Sequence, residues 1–138
     1  MIKFRLSRRG AIFLFLLILM ADQFSKGLIQ YLFPKWLSVN TGMAWGLFTE
    51  RNAWWLGLSF LLLGILVFLA LKMRKCLWMV VMIWGGGVSN FIDRLVYGGV
   101  RDWLRIGWLP AFNLADLAIT LGVIFLGASF LRSDDGAD

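Results

Sequence analysis

Histidine is absent from this chain of 138 residues, and Cys76 is its only cysteine. A single cysteine cannot form an internal disulfide. The absence of histidine excludes a catalytic triad built on imidazole, and a zinc site, which draws on histidine and cysteine, is not expected. Chemistry in this sequence must therefore use aspartate, glutamate, lysine, serine or asparagine side chains, and we expect neither a metal nor a cofactor.

Charged residues are also scarce, at 16% of the chain, whereas 60% of residues are hydrophobic and the mean hydropathy is +0.78. A soluble domain of this length has too little core to hide so much apolar surface, so the expected solvent is lipid. The net charge of +6 does not indicate nucleic-acid binding here. The basic residues flank apolar runs, which is the pattern that orients membrane proteins.

The apolar runs predict an all-α membrane protein with four transmembrane helices. A helix needs about 20 residues to cross a bilayer, and the predicted spans cover residues 10–32, 54–71, 77–97 and 111–131. We expect the first span to remain uncleaved, because no small-residue cleavage pattern follows it. Residues 1–132 then form one integral membrane domain, which we expect to be monomeric, and residues 133–138 a disordered tail.

Residues 33–53 are too polar for a span and too aromatic for a flexible linker. They predict a small extended or hairpin-like element at the bilayer surface. Basic residues flank the spans more often on the side of both termini, eight against six, so we expect both termini in the cytoplasm. Tryptophans form a predicted interfacial belt at positions 36, 45, 54, 55, 103 and 108.

Ionisable and amide side chains lie inside three predicted spans, all toward one face of the bilayer, although a charge in lipid costs a few kcal/mol on insertion scales. Three groups have helical spacing, and an aspartate in a loop joins them. The groups are Asp22 with Lys26, Asn90 with Asp93 and Arg94, and Asn113 with Asp116; the loop residue is Asp102. Such residues are expected either to hold helices together or to act in a site.

The structural interpretation is that these groups neutralise or bond one another. Asp22 is four residues from Lys26, and Asp93 is next to Arg94, so each acid has a candidate ion partner. The asparagines can cap helices or bond between them. In this interpretation the protein is an assembly factor whose buried charges only hold its helices together.

The functional interpretation centres on Asp102 and Asp116. Arg101 and Arg105 could screen Asp102 as a plain surface charge, but Asp116 has no basic residue at helical spacing. Two adjacent carboxylates share one proton near neutral pH, so one can activate water while the other polarises a carbonyl, as in aspartic proteases. Spacing alone leaves both interpretations open.

Two other motifs point to chemistry less strongly. Ser25 and Lys26 resemble a serine–lysine nucleophile pair, but adjacent residues point to different helix faces. The glycines at 85–87 resemble a phosphate loop only superficially, because small residues in an apolar span more often allow helices to pack closely.

Four motifs in order, "DQFSK", "NTGMAWGLF", "GGGVSNFIDRLVYGGVRDW" and "FNLAD", resemble the lipoprotein signal peptidases, or signal peptidase II. The resemblance covers nearly the whole chain. It implies a four-helix protein of the bacterial inner membrane, with the active site toward the periplasmic or outer face. It also implies a β-like cradle from residues 33–53 outside the cytoplasm. The expected partners are membrane lipid and the lipidated prolipoprotein substrate, with no nucleic acid.

By the same resemblance, the protein is an aspartyl endopeptidase that cleaves a lipidated prolipoprotein just before its diacylglyceryl-modified cysteine. The catalytic residues carried over by motif are Asp102 and Asp116. The residues implied for substrate binding or active-site support are Asp22, Lys26, Asn40, Gly42, Asn90, Asp93, Arg94 and Asn113.

The chain departs from the family pattern at Arg101, usually apolar, at Trp103, usually Phe, and at Leu117, often Ser. A cation beside Asp102 favours its ionised form, so we predict that Asp102 is charged and Asp116 protonated. The alternative function is a small transporter or proton relay that uses the in-membrane aspartates. A relay should lead across the bilayer, whereas the inner half of the predicted spans lacks acids.

Overall fold

The computed structural model describes residues 7–41, 64 and 77–134. These residues form three long helices and a two-stranded sheet, in the order α1 (Arg8–Leu32), a 3₁₀ turn (Pro34–Trp36), β1 (Ser38–Asn40), α2 (Leu77–Tyr97), β2 (Val100–Asp102) and α3 (Leu114–Asp134). The predicted span over 54–71 lies outside the described residues, except that residue 64 is helical. Most of the predicted cradle and of the predicted tail also lies outside them, so four spans and a cradle remain predictions.

Helix α1 begins and ends at residues whose chemistry favours a boundary. Ser7 caps its first turn by accepting a hydrogen bond from the N–H of Gly10 (3.0 Å). Pro34 follows its end, and a proline disfavours helical backbone angles in the residue before it, here Phe33. The helix therefore covers the stretch for which the sequence predicts a first span.

Two consecutive glycines carry the chain from α2 into β2. Gly98 has a φ of +72°, the left-handed conformation that glycine adopts readily at helix ends. Gly99 lies against β1, because a Cβ at this position would be 2.8 Å from the carbonyl oxygen of Asn40. The chain can therefore turn sharply after α2 and place β2 beside β1.

The sheet is antiparallel, with Ser38 opposite Asp102 and Asn40 opposite Val100. Its first strand comes from the described part of the predicted cradle, and its second strand comes from beyond α2. All three residues of β2 are buried. The sheet thus places Asp102 in the interior, next to the helices.

Residues 103–112 fold back on themselves and return the chain to β2. The N–H groups of Trp103 and Leu104 donate to the carbonyl oxygen of Phe112 (3.0 and 2.8 Å), and the Phe112 N–H donates to that of Leu104 (3.0 Å). Gly107 takes a φ of +54° within this segment. As a result, α3 begins close to Asp102.

Glycines in α2 allow the helices to pack closely. A Cβ on Gly85 would lie 3.1 Å from the side chain of Ile18 in α1. Gly86 lies directly against the backbone of Ala115 in the first turn of α3, where a Cβ has no room. The prediction that these glycines serve helix packing is therefore confirmed.

Polar side chains occupy the deepest positions of the described structure, and large apolar ones lie outside. The largest fully buried side chains there are Lys26, Asn113, Asp22, Asp93 and Ser89, whereas Phe13, Met20 and Phe24 are 65–70% exposed. This pattern is the reverse of a water-soluble fold. By length and composition, α1 and α2 can each cross a membrane, and Leu114–Ser129 of α3 is a shorter apolar stretch.

Candidate active site

The polar residues meet where the C-terminal parts of α1 and α2 approach the beginning of α3. Asp22 lies about 21 Å along α1 from Arg8, at 1.5 Å of rise per residue. At this level four elements contribute side chains: Asp22, Gln23 and Lys26 from α1, Ser89, Asn90 and Asp93 from α2, Arg101 and Asp102 from β2, and Asn113 and Asp116 from the start of α3.

Two acids and two bases form a buried charge cluster of Asp22, Lys26, Asp93 and Arg101. The Lys26 Nζ lies 2.5 Å from Asp22 Oδ2 and 3.0 Å from Asp93 Oδ2, and the Arg101 Nη2 lies 2.7 Å from Asp93 Oδ1. The four side chains are at most 3% exposed. Their charges sum to zero, and the short contacts between them offset part of the large desolvation penalty of burying each ion.

One of the two expected ion pairs lies in this cluster, and the other acid, Asp93, has different ion partners from the one expected. Asp22 pairs with Lys26 as predicted. Asp93 forms its ion pairs with Lys26 and Arg101, so Arg94 is not its main partner, although the charges of Arg94 and Asp93 interact. Adjacent residues on a helix do not face each other, and the Arg94 Nη1 instead donates to the carbonyl oxygen of Asn90 (3.4 Å).

Two asparagine amides connect Asp102 to Asp116. The Asn113 Nδ2 donates to Asp102 Oδ1 (2.7 Å) and to Asn90 Oδ1 (3.1 Å). The Asn90 Nδ2 donates to Asp116 Oδ1 (2.7 Å), and the Lys26 Nζ donates to Asn90 Oδ1 (3.1 Å). The two aspartates therefore belong to one hydrogen-bonded network, which the charge cluster joins through Lys26.

Asp116 is also part of the cap that begins α3. Asn113 Oδ1 accepts from the Asp116 N–H (2.9 Å), and Asp116 Oδ2 accepts from the Asn113 N–H (3.3 Å). This reciprocal pair is a capping box. Asp22 completes the cap from α1 by accepting from the N–H of Ala115 (2.9 Å). Asp116 is therefore held by its own helix and by α2, and α3 is docked on α1.

Asp102 is only 3% exposed, so the interpretation of it as a screened surface charge is wrong. Burial raises the pKa of Asp102 to about 6, and the charge of Asp116 acts in the same direction. Hydrogen bonds from Asn113 and Asn40 and the charge of Lys26 oppose this rise. A carboxyl group with this pKa changes its protonation state close to neutral pH, as a catalytic acid or base requires.

Arg101 does not lie beside the Asp102 carboxylate. Successive side chains of a strand point to opposite sides, and the guanidinium of Arg101 contacts Asp93. The expectation that Arg101 is the cation beside Asp102 is therefore wrong, and the cation that favours the ionised form of Asp102 is Lys26. Which aspartate carries the shared proton remains a prediction.

The structure brings together nine of the ten residues predicted for the site, and Gly42 lies outside the described residues. Asn40 reaches Asp102 from the end of β1. Arg94 is half-buried and interacts electrostatically with Asp102 and Asp116. Within the described ranges, no three histidine, cysteine or acidic side chains gather as metal ligands.

Besides Arg101, two buried or half-buried polar residues of the network are absent from the set predicted from the sequence. The Gln23 Nε2 donates to Ser89 Oγ (2.8 Å) and to Asp93 Oδ1 (3.0 Å), and the Ser89 Oγ donates to Asp22 Oδ2 (2.6 Å). Helical spacing carried a signal for both. Gln23 is three residues before Lys26 and Ser89 is four before Asp93, so each shares a helix face with a residue already identified.

Comparison with known proteins places this chain in a family. The family model described as "Signal peptidase (SPase) II" matches residues 14–132. The lipoprotein signal peptidase of Pseudomonas paraeruginosa is 31% identical over 94% of this chain and 92% of its own length. That of Pseudomonas putida is 31% identical over 97% and 94%, and that of Staphylococcus carnosus is 29% identical over 83% and 86%.

Two solved structures, both of bacterial membrane enzymes determined by the in meso method, share the fold. The first has a TM-score of 0.84 at 22% identity, over 100% of this chain and 97% of that chain. The second has a TM-score of 0.79 at 24% identity, over 96% and 99%. The fold is therefore that of a mostly helical membrane enzyme. Together with the match over residues 14–132, this means that the chain belongs to the signal peptidase II family of proteases.

Proposed function

We propose that this protein removes the signal peptide of prolipoproteins, as an aspartyl endopeptidase that cleaves before the diacylglyceryl-modified cysteine. Asp102 and Asp116 are its catalytic residues. The observation that carries the proposal is that two carboxylates from different elements are tied to one pair of amides, Asn90 and Asn113. The names of the relatives support the substrate class, and membership of a peptidase family does not favour the transporter alternative.

In the proposed reaction, one aspartate is ionised and the other carries a proton. The carboxylate takes a proton from water as the water oxygen attacks the scissile carbonyl carbon, and the carboxyl group donates a hydrogen bond to the carbonyl oxygen. When the tetrahedral intermediate collapses, the C–N bond breaks and the leaving nitrogen takes up the proton. Water is thus added across the peptide bond without a covalent intermediate.

The surrounding residues have supporting roles in this proposal. Asn113 and Asn90 orient the two carboxyl groups, and Asn40, Gly42 and Arg94 contribute to substrate binding. The charge cluster holds α1, α2 and β2 in register. The site faces the periplasmic or outer side of the bacterial inner membrane, both termini are cytoplasmic, and the enzyme acts as a monomer whose only partners are lipid and substrate.

A direct test uses the purified protein in detergent micelles and a prolipoprotein peptide with a diacylglyceryl group on its cysteine. Mass spectrometry should detect one new cleavage, on the N-terminal side of that cysteine. The same peptide without lipid is the matched control and should be cleaved much more slowly. Cleavage at another bond, or no cleavage of the lipidated peptide, contradicts the proposal. Proton flux in liposomes without peptidase activity would instead support the transporter.

Replacing Asn113 should shift the acid limb of the pH profile of kcat/KM. In the unmodified enzyme, kcat/KM should fall below about pH 6, because the pKa of Asp102 is about 6 and protonation removes its ability to act as a base. Asn113→Ser removes the Nδ2 donor that favours the ionised form of Asp102. The pKa of Asp102 therefore rises, and the acid limb should move to higher pH.

Serine is chosen at this position because it keeps a helix-capping oxygen. Asn113→Ala, the control, removes the cap as well and should lower the free energy of unfolding by a further ~0.5–2 kcal/mol. Both variants should move the acid limb in the same direction. An unchanged limb in Asn113→Ser, measured from pH 4 to 9, would show that this amide does not govern the titration.

A further inference from the structure

Arg101 immediately precedes Asp102 in β2, and its buried guanidinium has several polar partners. The Nη2 donates to Asp93 Oδ1 (2.7 Å) and to Gln23 Oε1 (2.8 Å). The Nη1 donates to Gln30 Oε1 (3.0 Å), and the Nε donates to Asp93 Oδ1 (3.3 Å). One side chain of β2 thus donates hydrogen bonds to two residues of α1 and one of α2.

The backbone of Arg101 is held as well. Its N–H donates to Asp93 Oδ2 (2.9 Å), so a single carboxylate binds both the backbone and the side chain. Its carbonyl oxygen accepts from the Asn113 Nδ2 (3.4 Å), the same amide nitrogen that binds Asp102. The guanidinium carbon also lies 4.0 Å from the centre of the Tyr97 ring, within the range of a cation–π contact.

These contacts matter because β2 is too short to fix its own position. It has three residues, and in the described structure the sheet has two strands. Alternation along the strand directs Arg101 toward α1 and α2 and directs Asp102 toward Asn113. A strand held firmly at Arg101 cannot rotate about its axis, and the direction of the Asp102 side chain depends on that rotation.

We infer that Arg101 is a positioning residue, whose guanidinium ties β2 to α1 and α2 and thereby holds the Asp102 carboxylate against Asn113. This inference rests on the proposed function, in which Asp102 is catalytic. Gln23, Gln30 and Asp93 are the residues that make this role possible.

Arg101→Lys is the informative variant, because it preserves the charge of the cluster and removes the forked set of donors. A lysine ammonium cannot reach Asp93, Gln23 and Gln30 in this planar arrangement. Since Arg101 acts on Asp102 and does not bind substrate, kcat should fall about tenfold, while KM changes by less than about twofold. Arg105→Lys, an exposed residue in the following loop, is the matched control and should behave like the unmodified enzyme.

Gln30 provides a second test that does not disturb a buried charge. It is exposed on α1 and reaches the site through the Arg101 Nη1. Gln30→Met should lower kcat about threefold when Arg101 is present and have no effect in the Arg101→Lys background. Folded fractions are measured for each variant by tryptophan fluorescence, and kcat is expressed per folded molecule.

Several outcomes overturn the inference. One is an Arg101→Lys variant with unchanged kcat, and another is a loss of kcat fully explained by the folded fraction. Additive effects of Gln30→Met and Arg101→Lys also contradict it. Asp102→Asn, assayed in the same experiment, distinguishes failure of the proposed function from failure of the positioning role. If Asp102→Asn is active, the proposed function is refuted. If Asp102→Asn is inactive and Arg101→Lys has normal kcat, only the positioning role of Arg101 is refuted.

Discussion

Asp102→Asn and Asp116→Asn should each lower kcat/KM for a lipidated prolipoprotein peptide by about 10³-fold, the size expected for loss of general acid–base catalysis. An asparagine amide has nearly the shape of the carboxyl group but neither accepts nor releases a proton at neutral pH. Because the two carboxyl groups act as a unit, the double variant should be no slower than the slower single variant. The measurement is the initial rate of cleavage, followed by mass spectrometry.

The matched control makes the same chemical change away from the site. Asp134→Asn makes the same chemical change at the last residue of α3, about 27 Å along the helix from Asp116 at 1.5 Å per residue. It should cleave at the normal rate. If either site variant cleaves normally, the aspartyl mechanism is wrong. If a site variant loses its fold along with its activity, the result supports the interpretation that the polar residues hold the helices together, and it does not support a catalytic role.

Lys26→Met should be the most destabilising single change in the charge cluster, lowering the free energy of unfolding by about 3–5 kcal/mol. Lys26 is completely buried and lies between Asp22 and Asp93, so its removal leaves two buried carboxylates with one remaining cation, Arg101. It also removes the donor to Asn90. Unfolding is measured by denaturant titration in detergent micelles, followed by tryptophan fluorescence.

Two comparisons separate charge from packing in this prediction. Lys35→Met changes an exposed lysine in the 3₁₀ turn and should alter the free energy of unfolding by less than about 0.5 kcal/mol. Asp22→Asn combined with Lys26→Met removes one acid together with the base, leaving Asp93 balanced by Arg101. This double variant should be more stable than Lys26→Met alone. The opposite order would mean that charge balance does not stabilise the cluster.

Much of the local organisation could be predicted because it depends on sequence periodicity. The apolar stretch of 77–97 corresponds to α2, and the spacing of Asp22 and Lys26 corresponds to a real ion pair. The predicted fourth span begins at residue 111, whereas α3 begins at Leu114, because Asn113 and Asp116 form its cap. Cap geometry is a matter of side-chain hydrogen bonds, which an apolar pattern does not reveal.

The partners of the charged residues could not be predicted in the same way. Proximity in sequence suggests Arg94 as the ion partner of Asp93 and Arg101 as a cation beside the Asp102 carboxylate. In the structure the ion partners of Asp93 are Lys26 and Arg101, and the Arg101 guanidinium contacts Asp93. In each case the two residues are adjacent in the chain, and adjacent side chains point to different sides of a helix or strand. Gln30 gave no sign of its role, because its partner lies on a strand far away in sequence.

Composition and helical spacing alone decide that lipid is the solvent of this protein, that its chemistry must use aspartate, glutamate, lysine, serine or asparagine side chains, and which polar residues share a helix face. Only the tertiary structure decides which helix faces meet. It thereby links Asp102 to Asp116 through the amides of Asn113 and Asn90, and it pairs Arg101 with Asp93. The reason is that periodicity along a helix or strand is a local property of the chain. The rotation and register of one element against another depend on packing between residues that are distant in sequence.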